Sequence, residues 1–227
     1  MTLRFGTDGV RGLAGVELDG PAVRALGLAA AAHLKTDRVV VGRDTRQSGL
    51  KLMQALTEGL RTGGLGILSL GVVPTPAVAH VAKLEGAAGA VVSASHNPWT
   101  DNGVKLFGPG GRKLTDEVQT RVQADWEALP RTEGPTHEPI SDEIEDCRWA
   151  DGLGAPVPSG ALAGMRLNLD WANGATSGIA ATVFARLAAE VSEIHAHPDG
   201  RNINEECGST HPADLQRAVV AAKADAG

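Results

Sequence analysis

The sequence predicts an α/β fold in which helices sandwich a mixed sheet, followed by an incomplete second α/β domain of the same kind. Short apolar runs that suit buried strands alternate with segments whose apolar residues recur at helical spacing. Glycines and prolines mark most of the changes from one pattern to the other. Alternation of this kind favours helices packed on a largely parallel sheet.

The elements of the first domain follow one another from about residue 21. A helix over about 21–34 precedes the strand RVVVG, and a second helix carries Leu52, Leu56 and Leu60. The strand LGILSLG, the helix PTPAVAHVAKLEG and the strand AAGAVVSA come next. The connection to the strand GVKLFG is too short for a helical crossover, so we expect that last pair to be antiparallel. A helix over about 115–129 closes the domain.

A change in composition separates two predicted domains, which we place at residues 1–150 and 151–227. Residues 130–158 hold five prolines and seven acidic residues, which interrupt the alternation. Beyond them we expect the strand and loop MRLNLDWANGATSG, a helix over 176–189, the strand EVSEIHA and a final helix in HPADLQRAVVAAKADAG. The chain stops at Gly227 directly after that helix, and a two-stranded sheet is marginal, so the second domain is expected to be incomplete.

Composition narrows the classes of partner. The net charge of −6 argues against nucleic acid, which basic patches bind, and no run approaches the ~20 apolar residues of a membrane span. The N-terminus lacks an apolar signal core, so we expect a cytoplasmic protein with no membrane partner. A homodimer is left open as the oligomeric state.

The cysteines and histidines do not predict a metal site. Cys147 and Cys207 lie far apart with no C-x-x-C pair, so neither structural zinc nor a disulfide framework is expected. His195 and His197 in HAHPDG lack a third ligand at useful spacing, so a turn is the preferred interpretation.

The segment SASHNP directly follows a predicted strand, at the edge of the sheet where such folds bind ligands. Ser95 and His96 are adjacent, and adjacent side chains in an extended chain point in opposite directions, so a simple Ser-His dyad is not expected. The G-x-S-x-G elbow is also missing. Hydroxyls, the Asn97 amide, backbone N–H groups and the nearby Lys105 suit a phosphate better than an acyl group. The alternative is an Asn-Pro turn rich in small polar residues.

Two further glycine-rich loops carry cations. Arg11 lies in FGTDGVRG, which we expect to wrap close to a ligand, and Arg43 and Arg46 follow a strand in GRDTRQSG. Arg43 could instead pair with Asp44, and surface arginines are usually solvated. Three such loops together favour phosphate binding, whereas the absence of G-x-G-x-x-G and Walker patterns leaves nucleotide binding unsupported.

These segments resemble the α-D-phosphohexomutase superfamily. FGTDGVRG, GRDTRQSG, PTPAV and SASHNPWTDNGVKLFGPGGRKL occur in the superfamily's order and spacing. SASHNP and PDGRNINEECGSTHPADL are most similar to the bacterial phosphoglucosamine mutase branch. The resemblance covers essentially all 227 residues.

The resemblance implies an isomerase that interconverts glucosamine 6-phosphate and glucosamine 1-phosphate, for amino-sugar nucleotide and cell-wall precursor synthesis. It implies that Ser95 carries a phosphoryl group, which passes to the sugar to form a bisphosphorylated intermediate. Arg11 and Lys105 are then candidates for proton transfer or oxyanion support. His96 would orient the serine or the sugar.

The resemblance also implies phosphate-binding and metal residues. Arg43 and Asn97 would bind phosphate, and Arg43 would support the phosphoserine loop. A Mg²⁺ ion would bridge the phosphate on Ser95 and an Asp-Gly-Asp-x-Asp-Arg loop that belongs a few residues after AAKADAG. Because the chain ends at Gly227, before that loop and two further domains, we expect this chain alone to be inactive.

Two alternative functions are kept. One is phosphoglucomutase or phosphomannomutase activity, since the loop that selects the sugar is not in this chain. Activity of the complete protein on each sugar phosphate separates these enzymes. The other is a non-catalytic phosphosugar-binding module, which a stop codon directly after codon 227 would favour.

Overall fold

The chain forms two compact units in a computed structural model that describes residues 3–4, 9–132, 149 and 157–227. The first unit comprises residues up to Asp44, Ser48–Ser95 and the segment that begins at Thr100; the second comprises Thr45–Gln47, His96–Trp99 and the residues through to Gly227. The boundary predicted between residues 150 and 151 lies outside the described residues.

A six-stranded mixed sheet forms the centre of the first unit. Its strands are β1 (Val10–Leu13), β2 (Arg38–Arg43), β3 (Gly66–Val72), β4 (Ala88–Val92), β5 (Asp101–Gly108) and β6 (Arg112–Lys113). The order is β1-β5-β4-β2-β3, with β6 paired to β5. Strand β2 runs parallel to β3 and β4, whereas β5 is antiparallel to β1, β4 and β6. The mixed α/β class and the antiparallel β4–β5 pair are therefore confirmed.

Four helices connect and cover these strands: α1 (Gly20–Ala31), α2 (Gly49–Thr62), α3 (Thr75–Glu85) and α4 (Asp116–Ala128). The side chain of Asp19 caps α1 by accepting a hydrogen bond from the N–H of Ala22 at 2.8 Å. Gly86 ends α3 with a left-handed φ of 62°, the conformation that glycine adopts without steric penalty. Capping residues of this kind explain why the predicted bounds of the helices differ from the observed ones by only a few residues.

The helices lie on both faces of the sheet. Helices α1, α2 and α4 share one apolar core with alternate residues of the central strands, including Val41, Ala90 and Val92. On the opposite face, Val78 of α3 packs over Gly42 and Gly89, where an added Cβ would lie 2.7 Å and 3.1 Å from its methyl carbons. A three-layer arrangement results, with the carboxyl ends of β2 and β4 at the same edge.

Strand β1 lies in FGTDGVRG, which the sequence predicted as a loop able to come close to a ligand. It pairs with β5 in antiparallel register, with Arg11 opposite Gly103. Gly9, directly before β1, has a φ of +87°, and a Cβ there would lie 2.2 Å from the carbonyl oxygen of Val104. The strand is short and flanked by glycines, so it shows no clear alternation in the sequence.

The second unit contains two parallel strands, β7 (Arg166–Asp170) and β8 (Glu190–Ile194), and the helices α5 (Ala180–Arg186) and α6 (Ala213–Ala222). Helix α5 is shorter than the predicted 176–189 because Ser177 donates its hydroxyl to the carbonyl of Gly174 at 2.8 Å, forming a local turn. Ala226 forms a bridge with Leu167, on β7. No helix in the described part of the chain is both long and apolar enough to span a bilayer.

Candidate functional site

Ser95 lies at the exposed turn that follows β4, the central strand of the first unit. Its φ is +57°, a left-handed conformation that is uncommon for residues other than glycine. The N–H of Ser95 donates to Oγ of Ser93 at 3.0 Å, and the N–H of Ser93 donates to the carbonyl of Gly103 at 2.9 Å. Ser93 therefore uses its hydroxyl to shape the turn, which presents Ser95 toward solvent.

Arg11 is brought to the base of this turn by β1. It is paired with Gly103 in β5, and a Cβ on Gly103 would lie 3.0 Å from Cγ of Arg11 and 2.8 Å from the carbonyl oxygen of Ser93. The side chain of Arg11 thus passes over Gly103, a residue of β5 that has no side chain to block it. Arg11 therefore lies near the start of the serine turn, and its role there stays a prediction.

Lys105 and Arg43 lie on opposite faces of the sheet. Lys105 lies two residues after Gly103, the partner of Arg11, so Lys105 and Arg11 share a face of the sheet. Nζ of Lys105 is 5.6 Å from the ring centre of Phe107. Arg43 pairs with Val92, on the face that α2 covers. Its Nη1 donates to the carbonyl of Asp44 at 3.0 Å, so the alternative contact with Asp44 exists through the backbone.

His96 and Asn97 belong to the segment that groups with the second unit. His96 is exposed, and Asn97 is half-buried. The backbone carbonyl of Asn97 accepts two hydrogen bonds, from Nη2 of Arg46 at 2.6 Å and from Nδ2 of Asn204 at 3.0 Å. These bonds fix the chain directly after the serine, whatever the Asn97 side chain binds.

Arg46 and Asn204 are the residues that the sequence analysis did not place at the site. Arg46 was noted as one more loop cation, yet it is fully buried. A guanidinium withdrawn from solvent and bonded to a carbonyl is a structural anchor, because removing it would delete a charge-assisted hydrogen bond and leave a cavity. Asn204 lies in NINEECGSTHP, the segment used for the resemblance, and that motif was the available signal.

A separate surface cleft of about 380 Å³ lies between the beginnings of α1 and α2. Asp19, Arg24, Ser48, Lys51 and Glu58 are among the residues that line it, and none of the predicted site residues does. Arg24 and Glu58 form an ion pair at 3.0 Å inside the cleft. Its charges largely offset one another, so we assign no ligand to it.

The described residues contain one group of three potential metal donors, Asp170, His195 and Cys207. This group mixes oxygen, nitrogen and sulfur, whereas Mg²⁺ prefers oxygen ligands alone. For Mg²⁺, the described part of the predicted site therefore offers only Ser95, through a phosphoryl group. We derive no reaction step through that ion.

Residues 2–132 match the family described as phosphoglucomutase/phosphomannomutase, alpha/beta/alpha domain I. The chain belongs to this phosphohexomutase family. The matched residues include the whole sheet of the first unit and the serine turn, so the predicted resemblance is confirmed at the level of the family.

The similarity to phosphohexomutases extends over both units of the chain. A phosphoglucosamine mutase from Rhodococcus jostii is 44% identical over 98% of this chain and 52% of its own length. The solved structure of a putative phosphomannomutase from Thermus thermophilus superposes with a TM-score of 0.81, at 27% identity, over 97% of this chain and 52% of that one. The chain thus spans about half the length of these relatives.

A more distant structure shares the fold alone. It is the N-acetylphosphoglucosamine mutase of Aspergillus fumigatus, solved in complex with GlcNAc-6P and magnesium. Its TM-score is 0.51 at 18% identity, over 96% of this chain and 45% of that one. Phosphohexomutases are generally metal-dependent, and the complex of the Aspergillus fumigatus enzyme contains magnesium.

Proposed function

We propose that this chain carries the phosphoserine part of a phosphoglucosamine mutase, which interconverts glucosamine 6-phosphate and glucosamine 1-phosphate. The position of Ser95 is the observation that carries the proposal: it lies exposed at the carboxyl end of the central strand, in a turn held by Ser93. The name and 44% identity of the Rhodococcus jostii relative support the choice of sugar.

The proposed reaction has two phosphoryl transfers. In the first, the bond between Oγ of Ser95 and phosphorus breaks while the 1-hydroxyl of glucosamine 6-phosphate bonds to phosphorus. The proton that this hydroxyl loses ends on Oγ of Ser95, which becomes a free hydroxyl. The product is a sugar 1,6-bisphosphate. The intermediate then reorients in the site, and its 6-phosphoryl group passes to Oγ of Ser95. This second transfer leaves glucosamine 1-phosphate and restores the phosphoserine.

The cations on the sheet face suit this chemistry. A phosphoserine carries roughly −1.5 to −2 charges at neutral pH and needs cationic or N–H partners. Arg11 and Lys105 lie on one face of β1 and β5, and Arg11 passes close to the serine turn. Positive charge of this kind stabilises a transferring phosphoryl group, whose catalysis depends mainly on positioning and electrostatics.

The remaining predicted roles rest on position. His96, directly after the phosphorylated residue, would orient the serine or the sugar. Arg43 and Asn97 would bind phosphate. Arg43 pairs with Val92 at the end of β4, and Asn97 follows Ser95 by two residues. In the complete protein, Mg²⁺ would neutralise charge on the phosphoryl group. A cytoplasmic location, a phosphosugar as the small-molecule partner and the choice between monomer and homodimer stay predictions.

The intact mass of the purified chain tests the phosphoserine. We expect the mass of one phosphoryl group on the chain as purified, or its gain by the complete protein on incubation with glucose 1,6-bisphosphate and Mg²⁺. Ser95→Ala should lose it, and Ser93→Ala should keep it, since Ser93 shapes the turn without carrying the group. A phosphate retained in Ser95→Ala, or a complete wild-type protein that never acquires one, would refute the proposal.

Phosphomannomutase activity is the second candidate, favoured by the TM-score of 0.81 with the Thermus thermophilus protein. Both candidates use the same phosphoserine, so the mass experiment does not separate them. Steady-state kcat/KM of the complete protein on glucosamine, mannose and glucose phosphates does. A preference for mannose 1-phosphate would replace the amino-sugar assignment and leave the role of Ser95 intact.

A further inference from the structure

A buried thiol, an imidazole and a carboxylate meet in the second unit, from three segments far apart in sequence. Asp170 ends β7, His195 follows β8, and Cys207 lies in the turn before α6. One potential ligand atom of each lies within 4.8 Å of the other two. The side chain of Asp170 is 4% exposed, and Cys207 is fully buried. The fold thus supplies partners to His195 that sequence spacing did not reveal.

We propose that Asp170, His195 and Cys207 form a site for one Zn²⁺ ion or a chemically similar divalent transition metal. Zinc is bound in proteins by this combination of thiolate, imidazole and carboxylate, whereas Mg²⁺ and Ca²⁺ take oxygen ligands. The site contains none of the residues assigned to phosphoryl transfer, so it stands or falls independently of the mutase proposal.

The distances suit a shared ion. Nδ1 of His195 and Oδ1 of Asp170 are 3.1 Å apart. With metal–ligand bonds of about 2.0–2.3 Å, neighbouring donors in a tetrahedral zinc site lie roughly 3.2–3.7 Å from one another. The imidazole and the carboxylate are therefore already near the required separation, and the sulfur needs to approach by no more than roughly 1.6 Å. Three protein ligands leave the fourth position to water.

Surrounding groups hold the donors in place. Oδ2 of Asp170 accepts from the N–H of Gly208 at 2.9 Å, and Oδ1 accepts from the N–H of Ala172 at 2.8 Å, which fixes the carboxylate plane. On the far side of the imidazole, Nε2 of His195 lies 3.6 Å from Oδ2 of Asp214. A metal-bound histidine commonly directs its second ring N–H toward a carboxylate in this way.

The charges around the thiol also favour a cation. Burial, followed by the negative charges of Asp170 and Glu205, raises the pKa of Cys207 to about 11. A divalent ion would offset those charges and bind the sulfur as thiolate, with the thiol proton released to solvent. The hydrogen bond between Nδ1 of His195 and Oδ1 of Asp170 would give way to the metal, with the imidazole proton on Nε2.

Metal binding here would stiffen the segment that anchors the serine loop. Asn204, three residues before Cys207, donates its side-chain N–H to the carbonyl of Asn97 at 3.0 Å. Asn97 follows Ser95 by two residues. The ion would therefore act as a structural clamp on the 195–207 segment and, through Asn204, on residues 96–99 of the same unit.

Cobalt spectroscopy of the chelator-treated 227-residue chain tests the site. Co²⁺ bound to a thiolate gives a near-ultraviolet charge-transfer band, and tetrahedral coordination gives intense visible bands. We expect both bands to saturate at one ion per chain, to disappear on addition of Zn²⁺ and to persist in excess Mg²⁺. A wild-type chain with no charge-transfer band overturns the proposal.

Variants assign the ligands. Cys207→Ser should abolish the charge-transfer band, while His197→Gln, a matched control outside the donor group, should keep it. His195→Gln should weaken Zn²⁺ binding by more than about 100-fold, and Asp214→Asn by about 10–100-fold, the range for partners that orient a ligand. A band that survives in folded Cys207→Ser refutes the assignment. If Cys207→Ser fails to fold by circular dichroism, the half-buried Asp214→Asn decides, and unchanged Zn²⁺ affinity there refutes the assignment.

Discussion

Gly103 is where an added methyl group should disturb both the sheet and the serine turn. A Cβ at this position would lie 2.7 Å from the carbonyl oxygen of Val10 and 2.8 Å from that of Ser93. Ordinary contacts of a Cβ begin at 3.4 Å, so both carbonyls are too close. They lie on opposite sides of β5, one toward β1 and one toward the end of β4, so the strand cannot relieve one clash without worsening the other.

We expect Gly103→Ala to lower the free energy of unfolding by about 2 kcal/mol. Overpacking in a close-packed core costs about 1–3 kcal/mol, and two backbone clashes place this site at the upper end. Alanine has less conformational entropy than glycine in the unfolded chain, which offsets about 0.4–1 kcal/mol of this loss. For a chain of this length, the loss corresponds to a decrease in Tm of about 4–8 °C.

Thermal unfolding followed by circular dichroism measures the effect, with Gly66→Ala as the matched control. Gly66 also lies in a strand, but its nearest neighbour would be 3.4 Å from an added Cβ, so its Tm should stay within about 2 °C of the wild type or rise slightly. Because Arg11 packs over Gly103, Ser95 should also acquire phosphate more slowly in Gly103→Ala. Equal Tm values for both variants and the wild type would refute the steric argument.

Three other perturbations have defined outcomes. Trp126→Phe removes the indole N–H that donates to the buried carbonyl of Ala22 at 2.7 Å, and urea unfolding should show a loss of about 1–3 kcal/mol. Arg46→Ala should accelerate amide hydrogen exchange around Asn97, and unchanged exchange there would contradict its anchoring role. In the metal-free chain, Cys207 should resist thiol reagents at pH 8 until the protein unfolds. Burial raises the pKa of Cys207 from 9.0 to about 11, so the thiol ionises more easily in the unfolded chain than in the folded one. The free energy of unfolding should therefore be unaffected below pH 9 and fall as the pH rises from 9 toward 11, by at most about 3 kcal/mol.

The elements of the first unit were largely predictable from the sequence because each carries a local signal. Leu52, Leu56 and Leu60 recur at helical spacing and are buried against the sheet as expected. Strand β1 was missed because its pairing partner, β5, lies about ninety residues away, and only that long-range contact makes the glycine-flanked segment a strand. The predicted range of helix α5 was too long, because the spacing of apolar residues does not reveal a competing turn such as the one that Ser177 forms.

The predicted site shows the same limit. The cations were identifiable from their position after strands, but the face of the sheet on which each lies depends on register, which separates Arg43 from Arg11 and Lys105. The buried state of Arg46 follows from packing that no local pattern encodes. The association of His195 with a distant cysteine and aspartate likewise requires the tertiary fold.

The left-handed backbone at Ser95 also restricts which amino acids could replace it. Threonine has an equally phosphorylatable hydroxyl, yet a β-branched side chain is a steric outlier at a φ of +57°. Asparagine and aspartate tolerate this conformation, so Ser95→Asp can mimic part of the negative charge while preserving the turn. For the proposed phosphoryl carrier, the conformation of the main chain therefore favours serine over threonine, and an exchange for threonine would remodel the loop.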